Sequence, residues 1–330
     1  MSEARGAWRP CLGGAGRPDR GNAGDWHPGG GYRGELRIEI RPRWCFALSR
    51  RTGLDRLARV RGGVLHRLLH AGDDPVLIRV AQPAPDRVLI GAQAPCREAA
   101  EWGIERMRQA LGVDQNLQPF YERFRFDPLI GAAVRSNPGL RTAARPDPFE
   151  ALVWAICEQL IEYERAAAIE RRLVARLGRR CPSTGLRNSP TAAALAAQAP
   201  ALLESLDLSA GRAIALIRAA REVASGRVDL AGPDHEPGWE RLRRIRGIGS
   251  WTLQMLALTG QGRLDQLPAA DLGYLKLVGR LRGGGAAGIG SRATEEDVER
   301  LFEPYAPWRG LAGLHALCGA QSPVGLRLAA

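Results

Sequence analysis

At 330 residues and 45% hydrophobic content the chain has enough apolar side chains for two ordinary domains, which excludes a wholly disordered polymer. Its 47 Lys and Arg against 35 acids give a formal charge of +12 and point to a polyanionic partner. Lys276 is the only lysine, so the basic side chains are nearly all arginine forks suited to phosphate, a bias that a GC-rich genome also produces. The six cysteines (11, 45, 96, 157, 181, 318) never fall at CxxC spacing, no apolar signal-peptide core opens the chain, and TAAALAAQAPALL (191–203) is too short to cross a bilayer, so a cytoplasmic protein with reduced thiols, no metal cluster and no membrane span is expected.

Residues 1–34, with CLGGAGRPDRGNAG and HPGGG, have no apolar period and read as a disordered basic tail. From 35 the pattern changes. ELRIEIR alternates Leu36, Ile38 and Ile40 with charges, and PVLIRVAQ (75–82) and RVLIGAQ (87–93) are two further strands joined by a PAPD turn. His66 and His70 stand four residues apart in HRLLH, which lacks the glutamate of HExxH and reads as packing, not as a metal site. A helix over 96–111 gathers Trp102, Ile104, Met107 and Leu111 on one side, completing a small strand-rich α/β domain over 35–112.

Beyond it, 113–330 reads as helical. Asp147-Pro148-Phe149-Glu150 combines an N-cap acid, a proline at the first helical position and a glutamate two residues on, so a helix starts there and carries ALVWAICEQLI into a core. ERAAAIERRLVARLG follows and stops at Gly178. Further helices fit 191–205, 210–225, 237–245, 250–260, 272–281, 294–303 and 307–318. The glycine-rich GGGAAGIGS (283–291) has no GK[ST] after it and is not a P-loop; it precedes a capped start at Thr294 and Asp297. The fold class is α+β.

Two short segments carry chemistry. In IRGIGSW (245–251), Gly247 and Gly249 either bring the N–H groups of the next helix against a phosphate or simply join two helices. Asp271, in LPAADLGYLK 22 positions after Gly249, is an N-cap, a carboxylate held charged at a helix N-terminus, or both.

IRGIGSWTLQMLAL and LDQLPAADLGYLKL, together with DPFEALVWAICEQLI (147–161) and PYAPWRGLAGLHAL (304–317), resemble the helix-hairpin-helix and catalytic-aspartate signature of the DNA glycosylase superfamily. The resemblance is closest to the DNA-3-methyladenine glycosylase II branch, whose N-terminal domain the strand-rich unit is similar to. It implies a helix-hairpin-helix at about 237–260, in which Arg246, Gly247, Ile248, Gly249 and Ser250 grip the DNA backbone while Asp271 faces a flipped nucleotide. It also implies a wedge at Leu160 and Gln159 and a base pocket of Trp251, Met255, Leu272 and Leu317, less aromatic than in relatives, with Glu158 replacing a usual glycine. On local sequence alone, Trp251 and Leu160 also read as core residues.

Lysine-type members of the superfamily carry their nucleophile two residues after the second glycine, where this chain has Trp251; Lys276 is expected to point away from Asp271 on its helix. An indole suits a cationic alkylated purine, which stacks on it with about 0.5–2 kcal/mol of cation–π energy and is already a good leaving group. The expectation is a monomeric, cofactor-free, monofunctional glycosylase that hydrolyses alkylated purines from double-stranded DNA containing damaged bases. The alternative is a catalytically inactive DNA-damage-binding protein of the same fold. A glycosylase with lyase activity or one for oxidised bases is disfavoured by the missing lysine.

Overall fold

The computed structural model describes residues 35–49, 52–142, 144–282 and 293–319; the expected tail at 1–34 and the glycine-rich stretch at 283–291 lie outside them. Strands β1 (Glu35–Ile40), β2 (Ala58–Arg61), β3 (Val64–Ala71), β4 (Asp74–Ala84) and β5 (Arg87–Gln93) form one antiparallel sheet in the order β1-β5-β4-β3-β2. The alternation of β1 sets its register, with Leu36, Ile38 and Ile40 opposite Ala92, Ile90 and Val88. Helix α1 (Arg97–Leu111) lays Ala99, Ala100, Ile104 and Met107 on that apolar face.

Strands β2 and β3 are absent from the sequence reading: β2 is an edge strand only four residues long, and β3 is buried on both faces. In VLHRLLHA, Leu65, Leu69 and Ala71 join the core under α1, while Leu68 packs with Leu77, Cys181 and Leu186 on the opposite side. A strand covered on both sides loses its polar alternation. His66 and His70 therefore lie on a strand, about 13 Å apart along it, which is too far to share a ligand.

The helical part comprises α2 (Gln118–Phe124), α3 (Gly131–Ser136), α4 (Pro148–Glu158), α5 (Tyr163–Leu177), α6 (Ala192–Ala196), α7 (Pro200–Ser205), α8 (Ala210–Ala224), α9 (Glu236–Arg243), α10 (Ser250–Gly260), α11 (Leu272–Arg282), α12 (Glu295–Phe302) and α13 (Arg309–Gly319), with one 3-10 turn at Glu303–Tyr305. None of the described helices is long and apolar enough to cross a membrane. The helix expected over 191–205 is two helices, because Pro200 has no N–H to donate and starts a new one. Helices α2 and α3 were not expected. They are too short for a periodic signal, and Phe120, Phe124, Ile130 and Val134 are held by Phe302, Tyr305, Leu311 and Leu314 from the far end of the chain.

Two helical cores result. One runs from α4 through α8 to the start of α10, and the other joins α2 and α3 to α11–α13. Asp147 caps α4 as expected, accepting from the Phe149 N–H at 2.9 Å, and Thr294 with Asp297 forms a complete capping box on α12. Glu150 does not reach back to that cap. It is 0% exposed and accepts from Arg67 of β3 and from Arg145 at 3.1 Å, so it ties the sheet to the helical core.

Candidate active site

The turn between α9 and α10 is built from the inside. Ile245 and Ile248 plug into the core beside Ala215 and Leu253, which forces the backbone between them outward. Gly247 makes the reversal at φ +95°, a conformation that side-chain-bearing residues rarely adopt. Gly249 has ordinary extended backbone, φ −104°, and open space where a Cβ would stand. No side chain caps α10, so the first N–H groups of an 11-residue helix, with the positive end of its dipole, face outward over two glycines. Arg246 and Ser250 are exposed on either side of the turn. Ile248, expected among the residues that grip a ligand, is buried, so its side chain is structural and its backbone alone belongs to the turn.

In the first turn of α10, the half-buried Trp251 donates its indole N–H to Asp271 Oδ2 at 3.2 Å. The other carboxylate oxygen, Oδ1, accepts from the Gly273 N–H at 2.8 Å, and the Asp271 carbonyl accepts from the Leu275 N–H at 3.0 Å. Asp271 is thus the cap of α11, and at 7% exposure it also reaches the wall of a cleft of about 2300 Å³. The two sequence-level alternatives are compatible in one geometry, since one oxygen caps while the other meets the indole. Behind it, burial and then the Asp271 charge push the Tyr274 hydroxyl well above the usual tyrosine range.

Across the cleft, α4 stops at Glu158 and the chain turns toward α5. Leu160 sits in this turn at φ +53° with its side chain 105% exposed, so it is not a core residue. Gln159, expected beside Leu160 in the wedge, points the other way. Its Nε2 donates to the Gly247 carbonyl at 2.7 Å and to Thr252 Oγ1 at 2.8 Å, which fastens this turn to the glycine turn.

Of the four expected pocket residues, Trp251 and Leu272 line the cleft. Met255 and Leu317, 1% and 0% exposed, are packed into the core on which Trp251 rests, and neither reaches the cleft. They became interior because α10 and α13 turn these positions toward α2 and α11. Lys276 shares a face of α11 with Leu272, four residues back, and lines the same cleft, about 7.5 Å along the axis from Asp271. The cleft also includes Asp55, Arg67, Arg145 and Glu150; of these only Glu150 was singled out from sequence, and as a helix-start residue, because arginines and acids scattered over 95 positions carry no local signal of pairing.

The chain is similar to known proteins. Residues 153–306 match the model of the HhH-GPD superfamily base excision DNA repair protein. The match covers just under half of the chain. A DNA-3-methyladenine glycosylase of Bacillus subtilis is 23% identical over 262 residues, 77% of this chain and 85% of the relative. A probable bifunctional transcriptional activator/DNA repair enzyme AlkA of Mycobacterium tuberculosis is 28% identical over 251 residues, and the chain spans 47% of that longer relative. Among solved structures, a 3-methyladenine DNA-glycosylase from Archaeoglobus fulgidus superposes with a TM-score of 0.70 at 20% identity, over 85% of this chain and 96% of its own. That likeness extends the shared fold past the matched segment to the sheet. Within that segment lie Leu160, the α9–α10 turn, Trp251 and Asp271.

Proposed function

We propose that the protein is a monofunctional DNA glycosylase that hydrolyses the N-glycosidic bond of alkylated purines, of the 3-methyladenine type, in double-stranded DNA. The observation that carries the reading is the Asp271 carboxylate, fixed by two N–H donors at the cleft wall against an indole. The damaged nucleotide turns out of the duplex into the cleft and its base meets Trp251, whose face favours a cationic purine. The bond to the base breaks with its electron pair going to the base, which leaves neutral. The sugar becomes an oxocarbenium whose charge Asp271 stabilises, and water adds to it and releases a proton to solvent. Leu160 fills the vacated space in the stack. The turn from Arg246 to Ser250 holds the backbone phosphates through N–H groups and the α10 dipole. The names of the Bacillus subtilis and Archaeoglobus fulgidus relatives support the substrate class. The protein acts as a monomer, without cofactor or metal.

The test is incubation with methylated DNA and chromatography of what is released. Free 3-methyladenine is expected, with strand breaks only after alkali. Duplex binding without release of any base would make the protein a damage-binding module. Strand cutting before alkali, with a borohydride-trapped complex that Lys276→Ala abolishes, would make it a lyase, a question the place of Lys276 in the cleft makes specific.

The two glycines separate backbone strain from phosphate contact. Gly249→Val is expected to leave the melting temperature unchanged, because the position is open and ordinary in φ, and to weaken binding to all duplexes alike. Gly247→Ala is expected to cost about 1–2 kcal/mol of stability through its φ of +95°. Melting curves and fluorescence anisotropy on undamaged duplex measure both. Wild-type affinity in Gly249→Val removes the α10 N-terminus from the DNA contact.

A further inference from the structure

We propose that Arg212 is a positioning residue that holds Leu160 ready for the duplex. The inference rests on the reading of Leu160 as the group that enters the base stack. The last carbonyls of α4 have no partners within the helix. Arg212, in the first turn of α8, donates Nη1 to the Cys157 carbonyl at 2.9 Å and, more weakly, to the Gln159 carbonyl at 3.4 Å, while its Nε is held by Ser209 Oγ at 3.1 Å. The guanidinium also sits at the negative end of the α4 dipole.

This contact acts on the residue next in the chain. Leu160 has φ +53° and projects fully into solvent, a state that a free turn of apolar and polar residues abandons by relaxing to extended backbone and covering the leucine. Strain of this kind persists only where the surroundings over-determine it. Here the turn is held from two sides: Arg212 on the carbonyls before Leu160, and Gln159 hydrogen-bonded to Gly247 and Thr252. The second tie has a functional consequence. Leu160 is registered against the turn that holds the phosphates, so gripping the backbone and entering the stack occur at a fixed spacing. Nothing in the sequence marks Arg212 among its many arginines; the fold brings it 55 positions back to Cys157.

The experiment uses a duplex with 2-aminopurine beside a stable abasic analogue, whose fluorescence rises when a side chain unstacks it. It also compares single-turnover base release from a lesion in a paired duplex with release from the same lesion opposite an abasic site. Wild type is expected to give the fluorescence rise. Arg212→Ala and Leu160→Ala are both expected to lose most of it and to lower the paired-to-unpaired ratio of release rates about tenfold, as displaced positioning groups do. The double variant should be no worse than either single, because both act through one side chain. Arg212→Lys, which keeps the cation and one donor, is expected to recover part of the signal and to melt like wild type, which separates positioning from folding. An undiminished signal in Arg212→Ala, or equal losses on paired and unpaired lesions, overturns the proposal. A wild-type signal without base release overturns the glycosylase reading and leaves the role of Arg212 intact.

Discussion

Asp271→Asn is expected to lower single-turnover base release roughly a thousandfold while leaving a folded protein that still binds duplex DNA. A carboxylate about 4 Å from a sugar oxocarbenium is worth on the order of 4 kcal/mol at an effective dielectric of 20, and that energy converts to this factor in rate. The structure refines what happens to stability. Both carboxylate oxygens face N–H donors, Gly273 at 2.8 Å and the Trp251 indole at 3.2 Å. Asparagine has one acceptor. Its carbonyl takes the Gly273 N–H and keeps the cap of α11, so its amide NH₂ meets the indole N–H with two donors and no acceptor, at a cost of about 1 kcal/mol. A small drop in melting temperature, a large drop in rate, and unchanged or slightly tighter DNA binding are therefore expected together. Release at close to the wild-type rate would reduce Asp271 to a helix cap and remove the catalytic assignment.

Glu150→Gln is expected to destabilise the whole molecule by about 3–5 kcal/mol, the usual consequence of leaving a buried charge without its partner. Glu150 is fully buried and accepts from Arg67 and Arg145, while Arg145 also pairs with Asp55 at 2.5 Å. Burial opposes ionisation of Asp55, but the charges of Arg145 and Arg67 outweigh it and hold its carboxyl below the usual aspartate range. Glu170, buried close by, is raised well above the carboxylate range by the same burial, with the Arg145 charge too weak to offset it. Glutamine preserves shape and removes charge, so Arg67, with its side chain 6% exposed, loses the carboxylate it is bonded to and keeps only the more distant charge of Asp55. Urea denaturation measures the loss. The double variant Arg67→Met/Glu150→Leu is expected to recover most of it, because apolar side chains of similar volume replace both ions. If Glu150→Gln unfolds at the wild-type urea midpoint, this network is not what joins the sheet to α4.

Much of the helical framework was legible because its signals are local. The cap at Asp147, the capping box at Thr294 and Asp297, the proline at the start of α4 and the glycines before α10 each involve neighbours within four residues, and each appears where the sequence placed it. Strand β1 was legible because one of its faces stays polar. Strand β3 was not, since both its faces are covered, and α2 and α3 were not, since their packing partners lie about 180 residues downstream.

The sequence by itself determined the class of the fold, the position of the glycine turn and the place of Asp271 at the start of a helix, because backbone conformation and helix termination depend on the nearest residues. Tertiary structure decided what each side chain faces. It aimed Asp271 Oδ2 at Trp251 and lifted Leu160 out of an apolar run into solvent. It also turned Met255 and Leu317 inward and brought Lys276 to the cleft and Arg212 to the end of α4. The physical reason is that a helix fixes which residues share a face but not what covers that face. Burial, strain and charge pairing come from segments far away in the chain.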